Sequence, residues 1–218
     1  MPLASLSFFA ATLITLAVFY TFSKLNQRYS LMRGRYYGLA YLLLSGLFVL
    51  LGLGTLLGEG EFLRYSVILA SMMFLLASFY CIRAMVSGQR PEKTVLVATA
   101  LLLVVYFILR LWLFPVAPYM QEGILILNAE LPISMVLGLL MLLVWFPAGY
   151  LVASEITVKT KVPQLLYVLA SVYLMSSLAG LIFVSTKSLL TLAISFGLLL
   201  LSFALVVYTN VLVLKMGE

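Results

Sequence analysis

The chain has 218 residues, of which 65% are apolar and only 9% charged, whereas a soluble domain carries about 25% charged residues. Together with a mean hydropathy of +1.20, this composition excludes a water-soluble globular protein. Spans of roughly 20 residues each fill most of the length and leave no room for a folded soluble domain. The chain has no His and a single Cys, Cys81, so we expect no metal site, no cofactor and no internal disulfide.

The charge-free runs of the sequence predict where the chain crosses a membrane. A charge at the bilayer centre costs roughly 2.5 to 3.5 kcal/mol on insertion scales, so charges mark the limits of spans. We predict seven spanning helices, at residues 1–23, 36–58, 65–82, 94–114, 131–154, 162–186 and 188–214. The fourth reaches spanning length only by running past Arg110, whose long side chain can extend to the interface. The predicted fold class is therefore all-α, a polytopic membrane protein forming one domain, 1–218.

The distribution of Lys and Arg predicts the orientation of these spans. Ten of the thirteen cations fall on one side of the predicted membrane. They are Lys24, Arg28, Arg33, Arg35, Arg83, Arg90, Lys93, Lys159, Lys161 and Lys215. Positive charge is enriched on the cytoplasmic side of membrane proteins. We therefore expect the N-terminus outside, the C-terminus in the cytoplasm, and a multi-pass location in the plasma membrane.

The basic cytoplasmic face has two interpretations. Either it only sets the topology, or it also binds an acidic protein partner or anionic lipid head groups, with each cation contributing about 1 kcal/mol near a charged leaflet. Nucleic acid is not an expected partner, because orientation accounts for the excess charge and no folded basic domain is predicted.

The longest external connection, residues 115–130, is far from uniformly polar. Pro115 and Pro118 end the fourth span, and Gly123 is followed by four aliphatic residues. This pattern predicts an interfacial turn or a short helix folded over the outer mouth of the bundle. Such a segment is either a lid over a ligand site or a strap in the head-group layer.

The sequence contains a weak internal repeat. A shift of 126 residues places the first two spans on the fifth and sixth without a gap. The aligned pairs include Tyr41/Tyr167, Ser45/Ser171 and Gly54/Gly180. The implied plan is a triplet at 1–88, a linker helix at 94–114, the external loop at 115–130 and a second triplet at 131–218. A single linker helix gives both triplets the same orientation, which makes the repeat parallel, about an axis normal to the membrane.

Such a plan resembles the PQ-loop and sugar-efflux transporters and the seven-helix rhodopsin-like proteins. PQ-loop transporters carry proline-bearing helices, and here Pro147 lies inside the fifth span and Pro163-Gln164 begins the sixth. Retinal proteins carry a Schiff-base lysine in the middle of the seventh helix. Residues 188–214 contain no lysine, so a retinal pigment is not expected. The plan also resembles the seven-helix membrane modules of some prokaryotic sensor kinases.

The spans contain no ionisable group at depth, where such groups mark catalysis or ion coupling. We therefore predict that the protein is not an enzyme. Arg110 is the deepest charge, and it either contacts an anion near the outer mouth or extends to the interface. The weak polar groups, such as Ser71 with Ser78 and Ser195 with Ser202, either line an uncharged cavity or form the ordinary packing surface between membrane helices.

These patterns predict a ligand site near the midplane, where the two triplets meet. The candidate residues are Tyr41, Ser45, Gly54, Trp145, Tyr167, Ser171, Tyr173 and Gly180. The predicted function is that of a non-enzymatic receptor-like, sensor or scaffold module acting through a partner in the membrane or cytoplasm. The alternative is a facilitative carrier of a small neutral solute. A small neutral or lipid-like ligand is compatible with either.

Overall fold

The computed structural model describes residues 3–58, 60–86, 101, 104–106, 108, 117–127 and 131–216. Three helices come first, α1 (Leu3–Tyr29), α2 (Met32–Leu57) and α3 (Glu61–Met85). Two short strands follow, β1 (Tyr119–Gln121) and β2 (Ile124–Ile126). The rest comprises α4 (Leu131–Leu140), a π-helical turn (Met141–Trp145), α5 (Phe146–Thr160), α6 (Gln164–Ser185) and α7 (Leu189–Lys215).

The described part of the chain is all-α apart from the two strands, and six of its helices are long and apolar enough to cross a membrane. One of these six combines α4, the π-helical turn and α5. The architecture is therefore that of a multi-pass membrane protein. The predicted fourth span is described only at residues 101, 104–106 and 108, which are helical. Arg110, Arg90 and Lys93 lie outside the described residues.

The helices form a closed bundle in which each packs against the next along the chain. Helix α1 packs on α2, α2 on α3, α5 on α6 and α6 on α7. The ring closes through contacts of α1 with α7 and of α3 with α5, and α2 also contacts α5. The contacts of Arg28 with Leu214, of Glu155 with Met32 and of Arg83 with Tyr36 place the ends of α1, α3, α5 and α7 together at one end of the bundle, which we call the basic end.

Hydrogen bonds between side chains join helices that are distant in sequence. Thr55 donates to Ser5 across α2 and α1 at 3.2 Å, and the Asn210 amide donates to Thr21 across α7 and α1 at 3.1 Å. All four side chains are buried. In an apolar bundle such bonds, together with close packing, specify which helix faces meet, because lipid solvates apolar surfaces as well as the protein interior does.

Pro147 accounts for the π-helical turn. A proline inside an α-helix lacks the N–H donor, and its ring collides with the carbonyl four residues earlier, here that of Leu143. The chain widens just before the proline instead, and the backbone N–H of Phe146 donates to the Met141 carbonyl five residues back. One wide turn thus keeps α4 and α5 in a single span and changes which side chains face the interior.

The segment that was predicted to be external forms a hairpin and not the short helix that was one expectation. Strands β1 and β2 pair antiparallel around Glu122 and Gly123, which have φ values of 51° and 78°. Two residues with positive φ are the signature of a tight hairpin turn, which glycine readily adopts. The hairpin lies at the end of the bundle opposite the basic end, which we call the outer end, because the Ala4 N–H donates to the Gly123 carbonyl at 3.1 Å and Leu125 is buried.

Candidate functional site

A cavity of about 100 Å³ lies inside the bundle, and we call it the inner cavity. Its wall comes from α2, α3, α4, the π-helical turn, α6 and α7, with Leu127 of the hairpin segment at one side. Side chains that define it are Phe48, Phe74, Met141, Trp145, Phe183 and Phe203. Both predicted triplets therefore contribute to the same cavity.

Trp145 is held in this wall by a stacked ring and a hydrogen bond. Its ring stacks on Phe74 with centroids 5.8 Å apart and planes 8° apart. Its indole N–H donates to the Ser78 hydroxyl at 2.9 Å, and that hydroxyl in turn donates to the Phe74 carbonyl at 2.9 Å. The π-helical turn ends at Trp145 and thereby aims the indole at α3, so the indole has a partner despite being buried.

Aromatic rings extend from Trp145 through the bundle towards the basic end. Tyr41 meets Trp145 edge to face at 6.0 Å and Phe203 at 5.4 Å. Tyr37 lies 5.4 Å from Tyr173, and its hydroxyl donates to the Trp145 carbonyl at 3.5 Å. Edge-to-face pairs of this kind have specific geometry, so this cluster holds one side of the inner cavity rigid.

Most of the predicted site residues lie in the interior. Trp145 and Gly180 line the inner cavity, and Tyr41 and Tyr173 belong to the adjoining aromatic cluster. A Cβ atom at Gly180 would lie 2.9 Å from the Cε atom of Met141, so the glycine lets the end of the Met141 side chain lie against α6.

Two further candidates serve packing. Ser45 donates to the carbonyl of Leu42 in its own helix at 2.6 Å. Gly54 allows α2 and α3 to approach, since a Cβ there would lie 2.7 Å from the Ser66 Cβ atom. Neither residue lines the inner cavity.

The structure does not bring both members of any aligned pair to a common site, since Gly180 lines the inner cavity and Gly54 does not. Tyr167 is 75% exposed, and Ser171 is also exposed, so both lie on the outer surface of α6. Their aligned partners Tyr41 and Ser45 are buried. The physical reason is that α6 is rotated differently about its axis from α2, and Tyr173, not Tyr167, enters the aromatic cluster.

The hydroxyl groups near the interior mostly bond within their own helices. Ser71, Ser195 and Ser202 each donate to a backbone carbonyl three residues earlier, at 2.7, 3.0 and 2.7 Å. Ser71 also lines the inner cavity, with Ser176 and Ser177. No charged residue is part of the described cavity wall, and the described residues include no group of three or more His, Cys, Asp or Glu side chains placed to hold a metal.

Sequence reasoning missed several residues that form the wall, including Phe74, Met141 and Phe203. Nothing in an apolar run distinguishes a cavity-lining Phe from a lipid-facing one, so the sequence carried no signal for them. Pro147 was the available signal for the π-helical turn, because a proline within a span predicts a local break in the helix.

A second cavity of about 280 Å³, the outer crevice, lies at the outer end of the bundle. It is enclosed by the first turns of α1, the hairpin turn, Phe183 of α6 and the first half of α7. Its lining includes Leu3, Phe8, Ile124, Leu192 and Phe196. Phe183 lines both cavities.

At the basic end, Glu155 of α5 caps α2. Its carboxylate accepts the backbone N–H groups of Met32, Arg33 and Gly34 at 3.0, 3.0 and 3.3 Å. These donors have no partners within a helix, and no side chain of the preceding residue caps them. The negative charge also complements the positive end of the helix dipole. Sequence analysis did not identify this role, which depends on a contact across more than 120 residues.

Cations at the basic end also have structural contacts. The Arg28 guanidinium donates to the Leu214 carbonyl at the end of α7, at 2.7 Å, and Arg83 lies 5.1 Å from the ring centroid of Tyr36. The first contact satisfies a carbonyl that has no helical partner. Part of the basic face therefore holds the helix ends together.

No family model, curated protein or solved structure matches this chain. The conclusions on function therefore rest on the residues and geometry described above.

Proposed function

We propose that the protein is a non-enzymatic membrane module of the receptor or sensor type, which binds a small apolar or lipid-like ligand in the inner cavity. The observation that carries the proposal is the cavity itself, whose wall is aromatic and aliphatic and comes from both triplets. Ligand sites are typically concave, mostly apolar and few per protein. The location at the junction of several helices lets a ligand favour one arrangement of them.

The chemistry of the wall favours an apolar ligand over a polar one. The Ser71 hydroxyl and the Trp145 indole already have partners. Burying a polar group without a partner costs roughly 1 to 3 kcal/mol, so a sugar would be strongly disfavoured. The cavity of about 100 Å³ is somewhat smaller than the engineered cavity of about 150 Å³ that binds benzene. A ligand of benzene or toluene size would fit with a small outward movement of the wall.

The π-helical turn and α5 connect the wall of the inner cavity to the basic end. Met141 and Trp145 form part of the cavity wall, and α5 runs from this turn to Glu155, which holds the start of α2. A π-helical turn is a local irregularity that is frequent at functional sites. In the proposed mechanism, a ligand that displaces the turn shifts α5, and the shift changes the cytoplasmic surface presented to a protein partner or anionic lipid.

The proposal includes seven spans with the N-terminus outside and the C-terminus in the cytoplasm of a plasma-membrane protein. Eight of the ten cations that the structure describes are at the basic end, as the positive-inside rule requires of a cytoplasmic face. A Cys replacing Lys161, between α5 and α6, should react only with reagent from the cytoplasm. A Cys replacing Lys187, between α6 and α7, should react only from outside. The reverse pattern would overturn the orientation.

A parallel repeat is also part of the proposal. A two-fold axis relating the two triplets would exchange the interface between α1 and α7 with the interface between α5 and α3. Both interfaces are present. Because α6 is rotated differently about its axis from α2, the proposed symmetry relates the positions of the helices but not the site residues.

The experiment for ligand binding is thermal unfolding of the protein in nanodiscs with increasing toluene. A ligand at ten times its Kd stabilises the folded state by about 1.4 kcal/mol, which corresponds to a Tm increase of roughly 3 to 6 °C for a chain of this size. Ser71→Leu, which fills the cavity, should weaken binding about tenfold or more. The matched control is Ser23→Leu on α1, where the hydroxyl is likewise part-buried and bonded within its helix. Equal stabilisation of both variants would contradict the proposal.

The second candidate function, a facilitative carrier of a small neutral solute, is favoured by the position of the cavity between the two triplets. Transport proteins built from repeats bind substrate where the repeats meet. Saturable uptake of a sugar or amino acid by the purified protein in proteoliposomes would support the carrier and contradict the receptor. Recovery of a stable partner with the protein purified from native membranes would favour the receptor.

A further inference from the structure

One aromatic side chain lines both the inner cavity and the outer crevice. Phe183 of α6 belongs to the wall of both, and it is half-buried. Its ring lies 5.5 Å from that of Phe196 on α7, at an interplanar angle of 40°. A change in the conformation of the Phe183 side chain would therefore alter the wall of both cavities.

The outer crevice opens sideways, towards the surface that faces lipid. Ala193 and Gly197 line the crevice and are exposed on α7. A Cβ atom added at Gly197 would meet no other atom within 4 Å, so the wall is open at this point. Above, the crevice is closed by the hairpin, which is held to α1 by the bond from the Ala4 N–H to the Gly123 carbonyl.

We propose that the outer crevice binds a single unbranched hydrocarbon chain from the outer leaflet, and that Phe183 separates this site from the inner cavity. The crevice is lined almost entirely by apolar side chains, so water in it would lack the partners that ordered water requires. An empty crevice would forfeit dispersion contacts along its whole wall. Lipid hydrocarbon is the apolar material present at the lateral opening.

The dimensions select one chain over a whole lipid. The crevice volume of about 280 Å³ is at the lower limit of the range of about 300 to 1,000 Å³ found for sites of drug-sized ligands, so it leaves no room for a whole lipid. The lateral opening is formed by two small residues on one face of α7, Ala193 and Gly197, so a narrow chain can lie across them. A ligand of the inner cavity then arrives along this apolar path from the bilayer. This last step rests on the proposed function.

The test uses the full chain in nanodiscs and a hexadecanol analogue that carries a diazirine at the last carbon of its chain. Photolabelling followed by mass spectrometry should place the label on α6 and α7 near Phe183, and unlabelled hexadecanol should compete with it. Gly197→Leu, which obstructs the opening without a clash at Cβ, should reduce this labelling about tenfold, equivalent to roughly 1.4 kcal/mol. The matched control is Gly46→Leu on α2, where the space around an added Cβ is also empty; its labelling should equal that of the wild type.

A second variant tests the separation by Phe183. Phe183→Ala should move part of the label deeper, to inner-cavity residues such as Met141 or Phe203. Equal labelling of the Gly197→Leu and Gly46→Leu variants, or labelling that hexadecanol does not reduce, would overturn the crevice site. If toluene stabilises the wild type saturably but the crevice is not labelled, the inference fails and the proposed function stands. If the crevice is labelled but toluene gives no saturable stabilisation, the proposed function fails and the chain site stands.

Discussion

The Glu155 cap on α2 supports a quantitative prediction about how the basic end is held together. Its carboxylate accepts three backbone N–H groups at 3.0 to 3.3 Å. Removing a helix cap costs about 0.5 to 2 kcal/mol, and losing a negative charge at a helix N-terminus costs a further 0.3 to 1 kcal/mol, roughly. Because Glu155 is partly exposed, we expect Glu155→Ala to cost about 2 kcal/mol and Glu155→Gln, which keeps one acceptor oxygen, about 1 kcal/mol.

Thermal unfolding in one detergent, followed by circular dichroism, measures this effect. One kcal/mol corresponds to a Tm shift of roughly 2 to 4 °C for a chain of this length, so Glu155→Ala should lower Tm by about 4 to 8 °C. The control is Glu61→Ala at the opposite end, since the Glu61 side chain is 69% exposed and pairs with Arg64 at 3.4 Å. Exposed pairs contribute about 0 to 1 kcal/mol. The reasoning is refuted if the two variants have the same Tm.

Two other substitutions test the interior. Ser78→Ala should destabilise the protein by about 1 to 3 kcal/mol, because it leaves the buried Trp145 N–H without its partner, and equilibrium unfolding that shows no loss would contradict this. Gly149→Ala should cost about 1 to 3 kcal/mol by overpacking, since its Cβ would lie 2.7 Å from the Tyr173 ring. Gly46→Ala, made in the same assay, should be neutral or stabilising by up to about 1 kcal/mol, and equal effects of the two glycine substitutions would show that the close contact is unimportant.

Six of the seven predicted spans coincide with described helices that are long and apolar enough to cross a membrane, because charges are excluded from hydrocarbon. The ends of these helices were predicted less well. The third span was expected to begin at residue 65, whereas α3 begins at Glu61 and includes Arg64 in its first turn. The fifth was expected to end at residue 154, whereas α5 continues to Thr160. Charge limits mark where the hydrocarbon ends, and a helix continues beyond that point wherever its backbone hydrogen bonds remain favourable.

The rotation of each helix about its axis was not available from the sequence. In a soluble protein the polar face of a helix points to water, but here the lipid-facing and interior surfaces are both apolar. Tyr167 and Tyr173 were therefore both named as candidate site residues, although Tyr167 is 75% exposed and Tyr173 is 1% exposed. The repeat alignment selected Tyr167 by position alone, and position does not determine which face of α6 meets its neighbours.

Contacts between residues that are far apart in the sequence could not be predicted from it either. The carboxylate of Glu155 was simply one acidic group near a helix end, and its role depends on α2 starting beside α5 in space. Trp145 was predicted as a candidate residue of the ligand site, but its hydrogen bond to Ser78 depends on the π-helical turn.

The central claim is that the inner cavity binds a small apolar ligand, and the emission of Trp145 tests it most directly. The chain has two Trp residues, so Trp112→Phe leaves Trp145, in the cavity wall, as the single reporter. Titration with toluene in nanodiscs should change its emission saturably, and Ser71→Leu should shift the midpoint to about tenfold higher toluene, equivalent to roughly 1.4 kcal/mol. A change that grows linearly with toluene, and is the same with and without Ser71→Leu, would show partitioning into lipid alone and would contradict the account.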